Sequence, residues 1–260
     1  MTLFDAVETP DKLCVMTSCD QAYLESHGPA FVASNAIAGN SIHIHLMENP
    51  GMRQVNLAKL TSLKLRYNAI ARGTHMTFST ETLHVPKGVN SETLRTYYAS
   101  NRFLVAPRLL STGCALYLSD IDSIFMSKME KLDADVGLFL RESLPGTVGW
   151  EALGTKVAAG LVYYSGSDGS RNFATKVENN LNTNGLTWFT DQVSLYQAYT
   201  YYEKKLKFHT FDMSVMDWEF RAGSPIWTGK GTRKDLDQRY LAKKLEMESR
   251  LPSVKGAFWR

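Results

Sequence analysis

The sequence predicts an α/β fold in which a mostly parallel central sheet is flanked by helices. Three observations predict it. A short apolar run, Leu13 to Ser18, is followed by a helical stretch and then by the alternating run Ser41 to Met47, which is the β-α-β order that parallel strands require. A second apolar run, Cys114 to Phe125, ends in two acids spaced one residue apart, at the carboxyl end of a strand, where open α/β sheets place their ligands. Further downstream, two more strand-like runs precede segments with helical spacing.

Taken in order, Leu13 to Ser18 reads as a buried strand leaving the core, and Cys19 to Pro29 as a loop. Pro29 to Ile37 reads as a helix stopped by Gly39 and Asn40. Ser41 to Met47 is a second strand, on which His43 and His45 share a face as exposed or half-buried side chains; metal binding by the pair would need a third ligand that the local sequence lacks. Ser91 to Leu110 has helical spacing and a capping signal at its start. Asp135 to Leu140 and Val157 to Ser165 are strands, and Arg171 to Leu181 is a helix. Thr190 to Tyr202 is a helix with Thr190 as its N-cap. Leu206 to Phe211 is a last short strand, and Asp235 to Ser249 a charged helix. The organisation is one domain over residues 1–235 and a charged helical extension over 236–260.

Composition narrows the classes of function. A chain of 260 residues with 44% hydrophobic and 21% charged residues is neither disordered nor collagen-like. No apolar stretch approaches the roughly 20 residues a membrane helix needs, and Met1 to Pro10 has no basic segment followed by a long apolar run. Cys14, Cys19 and Cys114 are odd in number and have no CxxC spacing, which favours a reducing compartment, and hence a cytoplasmic location, over a disulfide framework or a zinc site. From Lys204 to Arg260, thirteen Lys and Arg face seven Asp and Glu, while the rest of the chain is slightly acidic. A basic end suits an anionic ligand, and no nucleic-acid motif accompanies it.

The chemistry-bearing segment is LYLSDIDSIF, residues 116–125. If strand geometry persists, Asp120 and Asp122 project to one side. Two adjacent carboxylates repel unless a cation lies between them. A divalent ion with a preference for oxygen ligands, Mn²⁺ or Mg²⁺, meets that need and keeps positions open for phosphate oxygens.

This stretch resembles the DxD segment of nucleotide-sugar-dependent glycosyltransferases of the GT-A fold, a Rossmann-related single domain, and the order of elements is similar to the family-8-like group. The resemblance implies that Asp120 and Asp122 bind Mn²⁺ or Mg²⁺, which in turn binds the diphosphate of a nucleotide-diphosphate-sugar donor. SCDQAYL resembles the first loop of that group, which places Asp20 and Tyr23 against the nucleobase, with Ala22 where an Asn is usual. In SNRFL, Arg102 matches an arginine that reaches the donor; a surface helix arginine is the alternative. AAGLVYYS resembles the strand along the donor sugar, with Gly160 in register and Ala158 where an Asn is usual. WFTDQVSL matches the Asp-Gln pair beneath the reacting centre, implying that Asp191 binds sugar hydroxyls and that Gln192 lies close to the anomeric carbon; helix capping by Asp191 is the alternative. WTGKGTRKD resembles the His-x-x-Gly-x-x-Lys motif, with Gly231 and Lys234 in register and Thr228 where the third metal ligand is usual. His209, Thr228 or water would complete the shell, and Lys230, Arg233 and Lys234 would offer charge to the diphosphate.

The resemblance thus implies a metal-dependent transferase moving a sugar from a nucleotide donor to a glycan or other hydroxyl acceptor, with retention of configuration. Inversion would need a carboxylate base, for which Asp191, Glu142 and Asp217 are candidates. Trp150 and Trp188 are the aromatic residues best placed for an acceptor sugar. Two rivals remain. One is a sugar-nucleotide or glycan-binding protein without turnover. The other is a haloacid-dehalogenase-type phosphatase, which also carries DxD after an apolar strand but needs a downstream acidic cluster that this sequence lacks.

Overall fold

The first helix begins well before Pro29, at Gln21, because Asp20 takes an extended conformation and its carboxylate accepts the backbone N–H of Tyr23 at 2.8 Å. The segment read as a loop is therefore two turns of helix, and Pro29 sits inside it. Gly28 is the other misleading residue. It is held there by close packing, since a Cβ at that position would lie 2.9 Å from Leu24 Cδ1.

The computed structural model describes residues 2–3, 12–48, 55–82 and 89–253. The expectations for Met1 and for most of the stretch to Pro10, and for the chain end beyond 253, lie outside them. In chain order the elements are β1 (Thr2–Leu3), β2 (Leu13–Asp20), α1 (Gln21–Ala38), β3 (Ile42–Glu48), α2 (Leu57–Ile70), β4 (Met76–Thr82), α3 (Ser91–Leu110), β5 (Ala115–Ser119) and β6 (Ile124–Phe125). They continue with β7 (Val136–Leu140), α4 (Gly149–Gly154), β8 (Val157–Tyr164), α5 (Asp168–Asn184), α6 (Thr190–Tyr202), β9 (Phe208–Thr210), β10 (Met216–Asp217), β11 (Ile226–Trp227), α7 (Arg233–Leu236) and α8 (Gln238–Arg250). The charged helix expected from Asp235 is thus broken at Asp237, whose extended backbone ends α7 and whose side chain caps α8.

The chain forms two compact units. The first takes the described residues of Met1–His84, Asp120–Met129 and Met213–Arg260. Its sheet has the order β1-β4-β3-β2; β2, β3 and β4 are mutually parallel and β1 is antiparallel. Phe31, Val32, Ile44, Leu46, Leu60 and Leu63 fill its core. A small second sheet, β10-β11-β6, is anchored to α1 where Phe31 meets Phe125 edge to face at 5.9 Å. Helix α8 packs along α1 with Tyr240 buried, so the charged segment is built into this unit.

His43 and His45 are completely buried, in contrast to the exposed or half-buried positions predicted for them. The hydroxyls of β4 make burial tolerable. His43 Nδ1 lies 2.8 Å from Thr77 Oγ1 and its Nε2 lies 2.9 Å from Ser79 Oγ, while His45 Nδ1 lies 2.7 Å from the same Ser79 oxygen.

The second unit takes the described residues of Val85–Ser119 and Glu130–Asp212. Its strands have the order β5-β8-β7-β9, with β8 antiparallel to both neighbours and β7 parallel to β9. Leu116, Leu118, Val136, Leu138, Val162 and Phe173 form the core. Strand β8 is irregular against β7. Leu138 pairs with Val162 but Phe139 pairs with Ala158, so Ala159, Gly160 and Leu161 bulge from the ladder. No described helix is long and apolar enough to cross a membrane, and the three cysteines are buried and form no disulfide.

Candidate functional site

In the first unit the chain turns directly after Asp120. The Ser123 N–H donates to the Asp120 carbonyl at 3.0 Å, so strand pleating does not extend through the acidic pair. The two acids are instead gathered about one cation. Lys234 Nζ donates to Asp122 Oδ2 at 2.7 Å, with both side chains largely buried. Burial pulls the Lys234 ammonium down, but Asp122, by charge and by hydrogen bond, together with Tyr23 and Asp120, sets its pKa above the ordinary lysine value. The ammonium also lies 5.1 Å from the centre of the Tyr23 ring.

Three residues make this cluster possible. Gly229 leaves the space in which Lys234 folds back: a Cβ there would lie 2.6 Å from Lys234 Cβ and 3.2 Å from Asp122 Oδ2. Tyr240 donates its hydroxyl to the Asp122 carbonyl at 2.6 Å and so fixes the acidic turn to α8. His27 stands behind Tyr23, with ring centres 5.6 Å apart. Its pKa is lowered to about 4 by burial, then by Lys244 and Lys234. The sequence reading passed over all three. Tyr240 carried a usable signal, as a lone aromatic in a charged helix.

Asp20 and Tyr23 stand together at the start of α1, Asp20 as the cap and Tyr23 as a residue 47% exposed. Lys230 is exposed, with Nζ 4.3 Å from the Trp218 ring centre. Thr228 is buried with its hydroxyl 3.5 Å from Ser123 Oγ. No group of three His, Cys, Asp or Glu residues able to hold a metal occurs among the described residues, and His209 belongs to the second unit, edge to face with Phe211 at 5.1 Å. The donor chemistry of Asp120, Asp122 and Thr228, two carboxylates and a hydroxyl, suits a hard divalent ion. In this structure the cation on Asp122 is the Lys234 ammonium.

In the second unit Arg102 is buried, which removes the surface-arginine reading. Its guanidinium donates to the Ala159 carbonyl at 2.9 Å, holding the β8 bulge whose Gly160 is the one residue of that strand not fully buried. Helix α6 starts differently from expectation. Its N-cap is Phe189, with φ 71° and no side-chain cap, while Thr190 donates its hydroxyl to the Gly185 carbonyl at 2.8 Å. Asp191 is buried in the first turn and accepts the Gln192 N–H at 2.8 Å. The end of the Gln192 amide that faces the Gly154 and Val157 carbonyls, at 3.1 and 2.6 Å, is assigned as Nε2 because two carbonyls require a donor there, which places Oε1 at the other end. Asp217 is no candidate base. It is fully buried and accepts from the Glu219 and Arg221 N–H groups and the Ser224 hydroxyl at 2.7–2.8 Å.

The fold is the GT-A fold of glycosyltransferases. A crystal structure of the galactosyltransferase LgtC, in complex with donor and acceptor sugar analogues, is similar over 93% of this chain and 97% of its own, with a TM-score of 0.61 at 11% identity. The glycosyltransferase GlyE of Streptococcus pneumoniae TIGR4 is similar over 94% of this chain and 62% of its own, with a TM-score of 0.54 at 12% identity. The bifunctional glycosyltransferase WbbM is similar over 96% of this chain and 53% of its own, with a TM-score of 0.57 at 12% identity. No family model matches the sequence, and no curated protein does. At these identities the likeness shows the fold.

Proposed function

We propose that the chain is a glycosyltransferase that moves a sugar from a nucleotide-diphosphate donor to a hydroxyl acceptor, with retention of configuration. The observation that carries the proposal is the cluster of Asp120, Asp122, Lys234 and Tyr23 on a GT-A fold. Breaking the bond between anomeric carbon and phosphate places negative charge on the departing diphosphate. Lys234 and Lys230 supply ammonium groups for it, and Tyr23 offers its ring to the base. Asp20 positions Tyr23 by capping α1 beneath it. A Mn²⁺ or Mg²⁺ ion, held by Asp120 and Asp122, would neutralise the diphosphate oxygens as a Lewis acid. In the second unit we assign sugar hydroxyl contacts to Asp191 and a place near the anomeric carbon to Gln192, whose amide is already fixed in direction. Arg102 presents Gly160 by holding the neighbouring carbonyl.

Calorimetric titration with a panel of nucleotide sugars, with and without Mn²⁺, tests the proposal. Metal-enhanced binding of at least one donor supports it, provided the binding is lost in Asp120→Ala/Asp122→Ala. Binding that is indifferent to both metal and the double substitution refutes it. Thr228 in the usual histidine position favours a second reading, a donor-binding protein without turnover. Donor binding with no release of nucleotide diphosphate in any acceptor mixture selects that reading.

A further inference from the structure

Helices α5 and α6 pack against each other in the second unit, and a polar cleft of about 560 Å³ runs between them. That room lies within the range of roughly 300–1,000 Å³ that small ligands occupy. Lys176, Asn180 and Asn184 line the cleft from α5, four residues apart and so on one face of the helix. Gln197 and Tyr201, with the same spacing, line it from α6.

The amides are arranged before any ligand arrives. Asn184 Nδ2 donates to Ser194 Oγ and to Gln197 Oε1, each at 3.0 Å. Exchanging O and N in both amides keeps their mutual hydrogen bond, so in either assignment one NH₂ donor and one carbonyl acceptor are left over. Asn180 has a single orientation, because the end that faces the Ser194 carbonyl at 3.1 Å has to be its Nδ2. Its Oδ1 remains as a further acceptor. One end of the cleft carries charge. Lys205 Nζ lies 3.8 Å, and Lys176 Nζ 5.5 Å, from the centre of the Tyr201 ring, which gathers both ammoniums by cation–π attraction. Among the described residues no carboxylate lines the cleft, and neither lysine takes part in an ion pair.

We infer that the cleft between α5 and α6 binds an acidic saccharide, one that carries a carboxylate or a phosphate. Sugar hydroxyls both donate and accept, which matches the leftover amide donor and acceptors. The acidic substituent matches the two ammoniums at Tyr201. A lipid tail finds no apolar wall here, and a nucleobase would compete with Lys205 for the Tyr201 ring. The site does not rest on the transferase reading. Tyr201 lies nine residues beyond Gln192, roughly 14 Å along α6, so a ligand at this end of the cleft is held away from the place we assign to the anomeric carbon.

The test is an NMR chemical-shift titration of the full chain with sialyllactose and a hyaluronan tetrasaccharide as carboxylate probes, and the phosphate monoesters of glucose and mannose as phosphate probes. Lactose and inorganic phosphate are the controls. At least one acidic saccharide should bind at least tenfold more tightly than either control, and the class that binds identifies the acid. Lys176→Gln/Lys205→Gln should weaken that binding at least tenfold, and Gln197→Leu, which removes the amide and keeps its bulk, at least threefold. Circular dichroism confirms that each variant folds. The inference is overturned if none of the four probes binds, if either variant leaves binding unchanged, or if inorganic phosphate binds as tightly as the best probe. Nucleotide diphosphate binding should be the same in the double lysine variant as in the wild type. An equal loss of both ligands there would place the lysines in the donor site and overturn the inference as well.

Discussion

Lys234 Nζ lies 2.7 Å from Asp122 Oδ2, so the acidic pair of the first unit already holds a cation made by the chain itself. A divalent ion arriving alone has to displace that ammonium. An ion arriving with a diphosphate gives the ammonium a new anion. Lys234→Met should therefore tighten binding of Mn²⁺ alone by about tenfold and weaken binding of a nucleotide diphosphate by a similar factor, roughly 1.4 kcal/mol each way. Calorimetry on the two ligands separately reads both changes. If the two affinities fall together, the ammonium is not a placeholder.

Gly229→Ala is a steric version of the same test. The added Cβ would meet Lys234 Cβ at 2.6 Å and push the side chain away from Asp122. Nucleotide diphosphate binding should weaken severalfold and Tm should fall as well, because Lys234 Cβ is fixed to the α7 backbone, which has to shift to make room. Unchanged binding would show that the fold-back of Lys234 is dispensable.

His27 should make stability depend on pH below neutrality. Its folded pKa, about 4, lies below the ordinary value of 6.5, through burial first and then Lys244 and Lys234. The unfolded chain therefore takes up the proton first. The contribution of His27 is complete above about pH 6.5, falls as pH drops towards 4 and then levels, a change on the order of 3 kcal/mol. Urea unfolding at a series of pH values reads it. His27→Gln should flatten the curve across that window, and an equally steep curve in the variant would assign the effect to other groups.

Arg102 braces the β8 bulge of the second unit. Arg102→Met keeps the apolar stem and removes a charged hydrogen bond to the Ala159 carbonyl, worth about 1.5–3 kcal/mol. Its Tm should fall by several degrees, and amide exchange across Ala159 to Leu161 should accelerate more than in the rest of β8. Uniform acceleration along β8 would mean that the arginine does not hold the bulge.

The sequence carried much of this, and the limits follow from the physics. Strands buried on both faces, such as β5 and β8, show as uninterrupted apolar runs, and Ser91–Leu110 is legible throughout because helical spacing and a capping signal agree. The start of α1 was hidden because Gly28 and Pro29 read as breakers. Only the packing against Leu24 explains the glycine there. Thr190 looked like a cap, yet the left-handed Phe189 begins α6, a choice set by its contact with Gly154, far away in sequence. Burial of His43 and His45 depends on Thr77 and Ser79 one strand away, which no local pattern reveals. Asp120, Asp122 and Lys234 were legible through motif order. Tyr240 and Gly229, which hold them together, act through contacts between distant parts of the chain.

Release of nucleotide diphosphate tests the central claim most directly. The full chain is incubated with a panel of nucleotide sugars, Mn²⁺ and a mixed glycan acceptor pool, and free diphosphate is measured over time. Release from one donor, accelerated by acceptor and reduced at least a hundredfold in Asp122→Ala, is the expected result. Release that persists in Asp120→Ala/Asp122→Ala, or no release from any donor, contradicts the claim that this cluster performs glycosyl transfer.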